Sequence, residues 1–410
     1  MNKVAMIVWN EFLNDARVLK EAQTLQHSGY RVRVFALHTP GVTKEIETLE
    51  DGVEVQRIAR SPMWRWRKKG TVSTNGAPTP PGNHHKLSLK ILILRAIARI
   101  WTHCGLMLAM LRYRPAVIHA HDVNTLPTAF LASKLARSLL VYDAHEISTS
   151  REGYSSLRNM VGKIEKVLMP RAHGTITTTT ARAKFFARAY SIDRPVVLQN
   201  RPRLTISKRT NKIRDELSLN KSWPIVLYQG GLQQGRGLEK LVKTALQVPN
   251  CYFVFIGGGR LTAQLKELRD ERDLQERVHF IPTLSLTDLP AYTASADIGV
   301  QPIENTCLNH YTTDSNKLFE YIIAGLPVIA TDFPEIRKIV RDGEIGLLVP
   351  PGSEDELAKA INMLAGDTEL RKHYSKKAIE SASALNWEAQ ENLLSEMYSR
   401  IIKENSCKAS

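Results

Sequence analysis

The sequence predicts an α/β protein made of two doubly wound domains in tandem. Short apolar strands alternate with helical patterns in the first half, and the same alternation restarts at Pro224. A polar, basic and aperiodic stretch at 201–214 separates the two series. We therefore expect domains at 1–200 and 215–387, with a last helix near 388–405 that packs back on the first domain.

Composition predicts a soluble globular protein, because 43% of the residues are hydrophobic and 24% are charged. The N-terminal run Met1–Trp9 is typical of a first strand rather than of a signal peptide. No stretch approaches 18 uncharged apolar residues, so we expect no membrane span. The four cysteines lie far apart without metal spacing, which is typical of free thiols in a reducing compartment.

The formal net charge of +15 is concentrated in one segment, Arg57–Arg114. Between Glu54 and Asp122 there is no acidic residue, and there are twelve basic ones: Arg57, Arg60, Arg65, Arg67, Lys68, Lys69, Lys86, Lys90, Arg95, Arg99, Arg112 and Arg114. Such an excess indicates a local anionic partner.

Within this segment an irregular, Trp- and Arg-bearing loop at 61–85 precedes a long apolar helix predicted at 87–111. One interpretation is a helix packed on the sheet with its basic face in water. The other is a helix and loop at an anionic lipid surface, where Trp and Arg share the interface. Nucleic acid ranks lower, because no helix-turn-helix or RNA-binding signature is present.

In the first domain, polar residues follow the predicted strands at their carboxyl ends, where ligands of open α/β sheets bind. His119 and His121 lie in one strand, and we expect them on opposite faces of the sheet. His121 leads into Asp122, and a neighbouring strand ends in a run that contains His145 and Glu146. Asp15 and Arg17, after the first strand, can reach the same edge. No metal spacing is convincing among these residues.

In the second domain, two glycine-rich loops follow strands. The stretch Gln229–Gly237 includes Gly230, Gly231 and Arg236 ahead of a helix, which favours an anion at the helix N-terminus over a plain turn. A second loop around Gly258 is a weak signal alone. No Walker loop and no dinucleotide fingerprint is present.

The stretch Asp314–Thr331 predicts a helix capped by Ser315 or Asn316, stopped at Gly325 and followed by a buried strand. We expect Glu320 in its first turn. There it either complements the helix dipole or accepts hydrogen bonds from the vicinal hydroxyls of a sugar. Together with the two glycine loops of the same sheet, it indicates a nucleotide-diphosphate pocket.

These motifs resemble the retaining GT-B-fold glycosyltransferases, the large group 1 family that includes sucrose synthase-like and bacterial mannosyl- and glucosaminyl-transferases. The resemblance covers nearly the whole chain, and its most specific part is Asn316–Ala330. It implies two Rossmann-like domains facing across a cleft, with a nucleotide sugar held by the second. It also implies no metal and no cofactor, since basic side chains and helix N-termini stabilise the leaving diphosphate.

Carried over residue by residue, the resemblance implies three groups of site residues. Glu320 would bind the ribose, Arg236 the diphosphate, and His121 would lie near the donor sugar. The residues at the reacting centre would be His121, Asp122 and Arg236. On the donor side we expect Gly230, Gly231, Arg236, Gly258, Thr312, Asp314, Ser315, Asn316, Lys317, Leu318 and Glu320, and on the acceptor side Asp15, Arg17, His145 and Glu146.

Two positions depart from the family pattern. Thr312 stands where a second Glu is usual, and Gly231 stands where the phosphate loop usually has an Arg. Asp314 can replace the missing acid, and Lys317 the missing cation. The departures indicate either a divergent subgroup or weakened activity.

The sequence therefore predicts a cytoplasmic transferase, peripheral on the inner membrane face, that moves a sugar from a UDP- or GDP-sugar to a glycan or lipid-linked saccharide with retention. Surface polysaccharide biosynthesis is the expected context, with the segment Arg57–Arg114 on anionic lipid and no nucleic acid partner. The alternatives are another GT-B-fold enzyme, such as a nucleotide-sugar epimerase, and a non-catalytic nucleotide-sugar-binding scaffold.

Overall fold

The computed structural model describes residues 2–60, 89–151, 157–205 and 208–409. The chain forms two compact units, one made of Met1–Leu198 and Glu391–Ser410 and the other of Gln199–Gln390. The Trp- and Arg-bearing loop predicted at 61–85 lies outside the described residues.

The strands and helices follow the predicted alternation. The strands are β1 (Lys3–Ile7), β2 (Arg31–His38), β3 (Ile46–Thr48), β4 (Glu54–Ala59), β5 (Val117–His121), β6 (Leu139–Ala144), β7 (Gly174–Thr177), β8 (Val196–Val197), β9 (Ile225–Gln229), β10 (Tyr252–Ile256), β11 (Val278–Ile281), β12 (Ile298–Gln301), β13 (Val328–Thr331) and β14 (Gly346–Val349). The helices are α1 (Ala16–His27), α2 (Leu89–Tyr113), α3 (Leu126–Ala136), α4 (Arg158–Leu168), α5 (Thr180–Tyr190), α6 (Lys212–Leu217), α7 (Leu238–Thr244), α8 (Thr262–Glu271), α9 (Leu289–Thr293), α10 (Leu308–Tyr311), α11 (Asn316–Ile323), α12 (Pro334–Asp342), α13 (Glu354–Gly366), α14 (Thr368–Ala382) and α15 (Glu391–Ala409).

The first unit is built on an eight-stranded sheet in the order β3-β4-β2-β1-β5-β6-β7-β8. Every pairing is parallel except that of β3 with β4. Strands β2 and β5 flank β1, so the strand order reverses beside β1. The final helix α15 packs in this unit, where the Tyr398 hydroxyl lies 2.9 Å from Nδ1 of His119.

The second unit is built on a six-stranded parallel sheet in the order β11-β10-β9-β12-β13-β14. Counted within the unit, this order is 3-2-1-4-5-6, the order of doubly wound nucleotide-binding sheets. Hydrophobic clusters cover both faces, one with Val226 and Phe253 and the other with Leu227 and Val254. Burial on both faces explains why its strands are continuous apolar runs rather than alternating ones. Ligands of such sheets bind at the carboxyl ends of the strands beside the reversal point, here β9 and β12.

Helix α2 is unusually exposed for an apolar helix. Its stretch Ile93–Tyr113 is long and apolar enough to cross a membrane by length and composition, although the sequence predicted no membrane span. Only 22% of an 18-residue window in this stretch is buried. Leu106, Ala109 and Met110 pack on the sheet of the first unit. The opposite side carries exposed apolar residues, including Ile97.

Candidate functional site

Two glycine-rich loops meet at the carboxyl ends of β9 and β10. The Gly230 N–H donates to the Ile256 carbonyl at 2.8 Å, and the Leu232 N–H donates to the Gly258 carbonyl at 3.0 Å. Gly257 has a φ of +135°, and a Cβ there would lie 2.2 Å from the Gly230 carbonyl oxygen. The two predicted loops therefore pack backbone against backbone, which glycine permits because it has no Cβ.

Helix α11 ends at the predicted glycine. Gly325 has a φ of +70°, and its N–H donates to the Ile322 carbonyl while the Leu326 N–H donates to the Tyr321 carbonyl. This is the Schellman arrangement that satisfies the last carbonyl groups of a helix. At the start, Ser315 holds the N-cap position with a φ of +54°, but its side chain makes no capping hydrogen bond. The predicted side-chain cap is therefore wrong for Ser315.

Glu320 lies in the second turn of α11 and not in the first, because the helix begins at Asn316. The prediction of its position is wrong by one turn, and complementing the helix dipole is a weaker explanation for it. The Gln229 side-chain amide donates to Oε2 of Glu320, and the Thr293 hydroxyl donates to Oε1 of Gln229 at 2.8 Å. Glu320 is half-buried, and the bond from Gln229 holds one of its two carboxylate oxygens.

Two cations, Lys317 and Arg236, lie near the first glycine loop, and neither has an ion-pair partner among the described residues. The Nζ atom of Lys317 is 4.9 Å from the ring centroid of Tyr228 and 3.4 Å from the place a Cβ of Gly230 would take. Burial, and next the charge of Arg236, lower the pKa of Lys317 to about 7, although Glu320 opposes this. A partly desolvated pair of cations is stabilised by a bound anion.

Thr312 and Asp314, the two residues at the departure from the family pattern, are both buried. The Thr312 hydroxyl donates to the Leu308 carbonyl at 2.7 Å. The Asp314 carboxylate accepts a hydrogen bond from the Gln199 side-chain amide at 2.8 Å. Both side chains therefore already have contacts within the second unit.

The remaining predicted donor-side residues offer mainly backbone groups. Leu318 is fully buried in the hydrophobic core, so only its main chain can reach a ligand. Gly231 and Gly258 are exposed, and the Gly231 carbonyl accepts a hydrogen bond from the Tyr228 hydroxyl at 3.1 Å. Asn316 is exposed at the first position of α11, where helix N–H groups lack intrahelical acceptors.

Gln301, at the end of β12, is a candidate that the sequence analysis missed. Its side chain is fully buried, and neither amide atom has a hydrogen-bond partner among the residues that the structure describes. The register Gly299↔Leu227 places it at the reversal point of the sheet, near the end of β9. One sequence feature could have indicated Gln301: the two strands at the reversal point, β9 and β12, each end in a glutamine, Gln229 and Gln301 respectively.

His119 and His121 share one face of β5, and the prediction of opposite faces is wrong. Side chains alternate along a strand, so residues two positions apart point the same way. Their rings stack with centroids 4.3 Å apart, and both are buried. Burial lowers the pKa of both, and that of His119 lies well below the ordinary value. Both imidazoles are therefore neutral at neutral pH.

A buried charge network joins His121 to two predicted residues, Arg17 and His145. Arg17 donates to both oxygens of Asp143, at 2.8 Å from Nε and 2.9 Å from Nη2. The Nε2 atom of His145 lies 2.8 Å from Oδ2 of Asp143, and Nδ1 of His121 lies 3.4 Å from the same oxygen. Asp143 is thus the centre of this network.

The network is charged despite its burial. Burial alone would raise the pKa of Asp143, but Arg17 and His145 hold it well below the usual range. Burial would likewise lower the pKa of His145, but Asp143 and Asp122 outweigh it and raise the pKa to about 9. At neutral pH the network therefore contains two cations around one carboxylate.

Glu21, His119, His121 and Asp143 have ligand atoms within 4.8 Å of one another, a spacing that a metal ion could use. Arg17 already binds both oxygens of Asp143, and its Nε lies 3.1 Å from Oε1 of Glu21. The guanidinium thus supplies the positive charge that a metal would bring. Burial, and next Asp143, raise the pKa of Glu21 to about 8, which favours the protonated acid over a metal ligand. The residues fit a metal poorly.

The other predicted residues of the first unit make more local contacts. Asp15 caps α1 and accepts a hydrogen bond from the Asn10 side-chain amide at 2.8 Å. Asp122 has a φ of +61° just after β5, and its carboxylate lies 3.4 Å from Arg151 and 3.7 Å from Nδ1 of His145, so it borders the network. Glu146 pairs with the same arginine at 3.5 Å. Arg17 and His145 therefore join His121, whereas Asp15 and Glu146 do not.

Two family models match the chain in succession. The model "Glycosyl transferase 4-like domain" matches residues 15–201, and "Glycosyl transferases group 1" matches residues 209–381. The boundary between the two matches falls where the two compact units meet in the sequence.

Known proteins resemble the chain over most of its length. It is 23% identical to D-inositol 3-phosphate glycosyltransferase of Nocardia farcinica over 409 residues, 94% of this chain and 84% of that protein. Sucrose-phosphate synthase of Thermosynechococcus elongatus has a TM-score of 0.79 at 19% identity, covering 98% of this chain and 100% of that one. HepE of Anabaena, solved in complex with UDP-glucose, has a TM-score of 0.73 at 18% identity over the same shares. These structural neighbours share the two-domain GT-B fold.

Proposed function

This chain belongs to the group 1 glycosyltransferases, and we propose that it transfers a sugar, with retention, from a UDP- or GDP-sugar to a glycan or lipid-linked saccharide. The observation that carries the proposal is a pair of basic residues, Lys317 and Arg236, which have no ion-pair partner among the described residues. They lie near a glycine loop in the same unit as the carboxylate of Glu320, which Gln229 orients. The complex of HepE with UDP-glucose supports a nucleotide sugar as the donor class.

The proposed chemistry depends on stabilising the leaving diphosphate. As the glycosidic bond to the diphosphate breaks, negative charge develops on the diphosphate oxygens. Arg236, Lys317 and the N–H dipoles at the start of α11, where Ser315 makes no side-chain cap, have the sign that this oxyanion requires. We propose that these groups replace a metal ion in the transfer step.

Glu320 is the proposed ribose ligand. A carboxylate accepts hydrogen bonds only, so it selects a ligand group that donates, such as a ribose hydroxyl. The bond from Gln229, itself held by Thr293, fixes the orientation of the carboxylate before the ligand arrives. Pre-orientation of this kind lowers the entropic cost of binding.

Lys317 is the proposed replacement for the cation that the family pattern has lost at Gly231. Its Nζ atom lies beside Gly230, the preceding residue of the same loop, which supports this role. The corresponding suggestion for Asp314 gains no such support, because its carboxylate is buried and accepts a hydrogen bond from Gln199.

We further propose that the segment Arg57–Arg114 holds the first unit at the cytoplasmic membrane face, where surface polysaccharide is made. Exposed Ile100 and Trp101 on α2, together with nearby Arg99, support this because they combine apolar area with positive charge. Sedimentation with anionic liposomes at low and high salt tests it. Binding at low salt that weakens at high salt is expected, and no binding at low salt would remove the membrane from the proposal.

Release of nucleoside diphosphate from UDP- and GDP-sugars tests the transfer proposal. Glu320→Ala should abolish release, while Glu271→Ala, which changes an exposed residue at the end of α8, should leave it unchanged. A wild-type rate in Glu320→Ala would refute the assignment of the pocket. Tracking labelled sugar separates the alternatives: an epimerase changes its configuration without transfer, and a scaffold neither transfers nor hydrolyses it.

A further inference from the structure

A basic pocket of about 290 Å³ lies at the amino-terminal edge of the first sheet, the edge opposite His121. It forms where β1 and β2 begin and α2 ends. Its lining includes the four cations Lys3, Arg31, Arg33 and Arg112. None of them belongs to the donor-side or acceptor-side residues discussed above.

The pocket has more positive charge than its own carboxylate can balance. Glu54 pairs with Arg31 at 2.6 Å and with Arg33 at 2.5 Å. Lys3 donates to the Tyr113 carbonyl at 3.3 Å, which satisfies one end group of α2 but adds no negative charge. Arg112 is exposed and has no partner in the described part of the chain. One carboxylate therefore faces four cations, and an anion fits the excess.

An apolar groove of about 460 Å³ continues directly from this pocket. The two cavities share Arg112 in their linings, and the groove runs between the outer side of α2 and the strands β3 and β4 at one side of the sheet. Exposed apolar side chains form much of it, with Ile46 71%, Trp101 54% and Leu108 51% exposed. This volume is within the range of pockets that hold a small ligand.

Helix α2 approaches β4 closely enough to form the floor of the groove because residue 105 is glycine. A Cβ on Gly105 would lie 2.8 Å from Cγ2 of Ile58. Larger residues at this position would push α2 away from the strand. Gly105 thus permits the close packing of α2 on β4 beside which the groove lies.

We propose that the pocket and groove together bind one anionic glycerophospholipid, with its phosphate in the basic pocket and an acyl chain in the groove. The charge excess matches the phosphate, and the exposed apolar lining, continuous with it, matches the chain. The inference rests on the proposed membrane association and deepens it, because it names a lipid site rather than a charged surface. Two alternatives each explain only half of the site. A diffuse basic surface would not account for the groove, and a protein-docking patch would not account for the excess of cations.

Isothermal titration of the full chain with short-chain phosphatidylglycerol, below its micelle concentration, tests the proposal. Saturable binding is expected. Two ligands act as controls for the two halves of the site: phosphatidylcholine of the same chain length carries no net charge, and glycerol phosphate has no chain. Each should bind at least about tenfold more weakly. If phosphatidylcholine binds equally well, the site is only an apolar surface. If glycerol phosphate binds equally well, the site is only an anion site. Either result overturns the proposal.

Two variants localise the binding without touching buried residues. Arg112→Ala removes the unpaired cation, and Leu108→Asn makes the groove polar. Each should weaken phosphatidylglycerol binding about tenfold, since a hydrogen bond to a charged group or a buried apolar side chain contributes about that much. Arg188→Ala, at an exposed position of α5, is the matched control and should bind as wild type does. Wild-type affinity in both site variants would place the lipid elsewhere and refute the site.

The same variants separate this inference from the proposed function. Nucleoside diphosphate release should be unchanged in both, because neither residue belongs to the donor site. If the wild-type protein sediments with phosphatidylglycerol vesicles but does not bind the monomeric lipid, membrane association is supported and the lipid site is refuted. If the wild-type protein binds monomeric phosphatidylglycerol but turns over no donor, the proposed function is refuted and the lipid site is supported.

Discussion

Replacing Lys317 with methionine should stabilise the second unit and at the same time weaken nucleoside diphosphate binding. Methionine keeps an unbranched apolar stem and removes the charge. The pKa of Lys317 falls from 10.5 to about 7, chiefly by burial, a difference of about 3.5 pH units. At about 1.36 kcal/mol per pH unit, the buried charge costs the folded state on the order of 4 kcal/mol at neutral pH.

Part of this cost is offset by the contact of Lys317 with the Tyr228 ring, about 1–2 kcal/mol for a desolvated pair. A net gain of about 2–3 kcal/mol should remain, and each kcal/mol raises the Tm by roughly 2–4 °C for a unit of this size. Loss of a hydrogen bond between the ammonium and phosphate should weaken binding by about 1.5–3 kcal/mol, roughly ten- to a hundredfold.

The pH dependence of the wild type follows from the same pKa. The unfolded chain holds the Lys317 proton up to about pH 10.5, whereas the folded chain loses it near 7, so the destabilisation of the second unit by Lys317 should shrink as pH increases between these values. Diphosphate binds the protonated form better. Affinity should therefore fall as pH rises above 7, by up to about tenfold per pH unit. Lys317→Met should show neither trend.

Thermal unfolding and calorimetric titration with UDP and GDP between pH 6.5 and 9 measure both effects. Lys317→Arg, which keeps a permanent charge, should bind without the pH dependence. Lys372→Met, at an exposed position of α14, is the control and should change neither quantity. A lower Tm with unchanged affinity in Lys317→Met would refute the reasoning, because it would make the lysine a structural residue.

Three further predictions concern the buried network and the close approach of backbone segments. Asp143→Asn leaves the buried guanidinium of Arg17 without its carboxylate and should lower the free energy of unfolding by about 3–5 kcal/mol, measured by urea denaturation; a change below about 1 kcal/mol would contradict the charge assignment. Gly237→Ala should destabilise the second unit by more than about 1 kcal/mol, because its φ is +70° and a Cβ would lie 1.9 Å from the Pro302 carbonyl oxygen; an unchanged Tm would show that the loop relaxes freely. The pKa of His145 is raised to about 9 in the folded protein, so its contribution to stability is complete below about pH 6.5 and is lost as pH rises through 9. His145→Gln should flatten this part of the stability–pH curve, and an identical slope in wild type and variant would exclude the protonated imidazole.

Local pattern was sufficient to predict the two sheets. The runs that became β9, β10 and β13 are continuous and apolar because both faces of the second sheet are covered. Strands β3 and β4 were missed. The edge strand β3 has only three residues, and its neighbour Glu54–Ala59 mixes polar and apolar residues. Edge strands carry a weak apolar signal because only part of their surface is buried.

The donor-side loops were also predicted from sequence, because glycine content and a helix stop are local signals. In the first unit, Arg17, His121 and His145 were predicted at one edge of the sheet, but the central role of Asp143, which joins them, was not. Arg17 and Asp143 are 126 residues apart, and only the order of the parallel strands brings them together. His119 and His121 were wrongly predicted on opposite faces of their strand, although side chains two positions apart in a strand lie on the same face. Gln301 was missed because an isolated glutamine at a strand end carries no recognisable pattern.

The affinity of nucleoside diphosphates tests most directly whether the second unit holds a nucleotide sugar. UDP, GDP and ADP are titrated into the wild type, into Glu320→Ala and into the exposed control Glu271→Ala. We predict that UDP or GDP binds the wild type and the control equally, and binds Glu320→Ala at least about tenfold more weakly. Binding of none of the three to the wild type, or equal binding to all three proteins, would contradict the account.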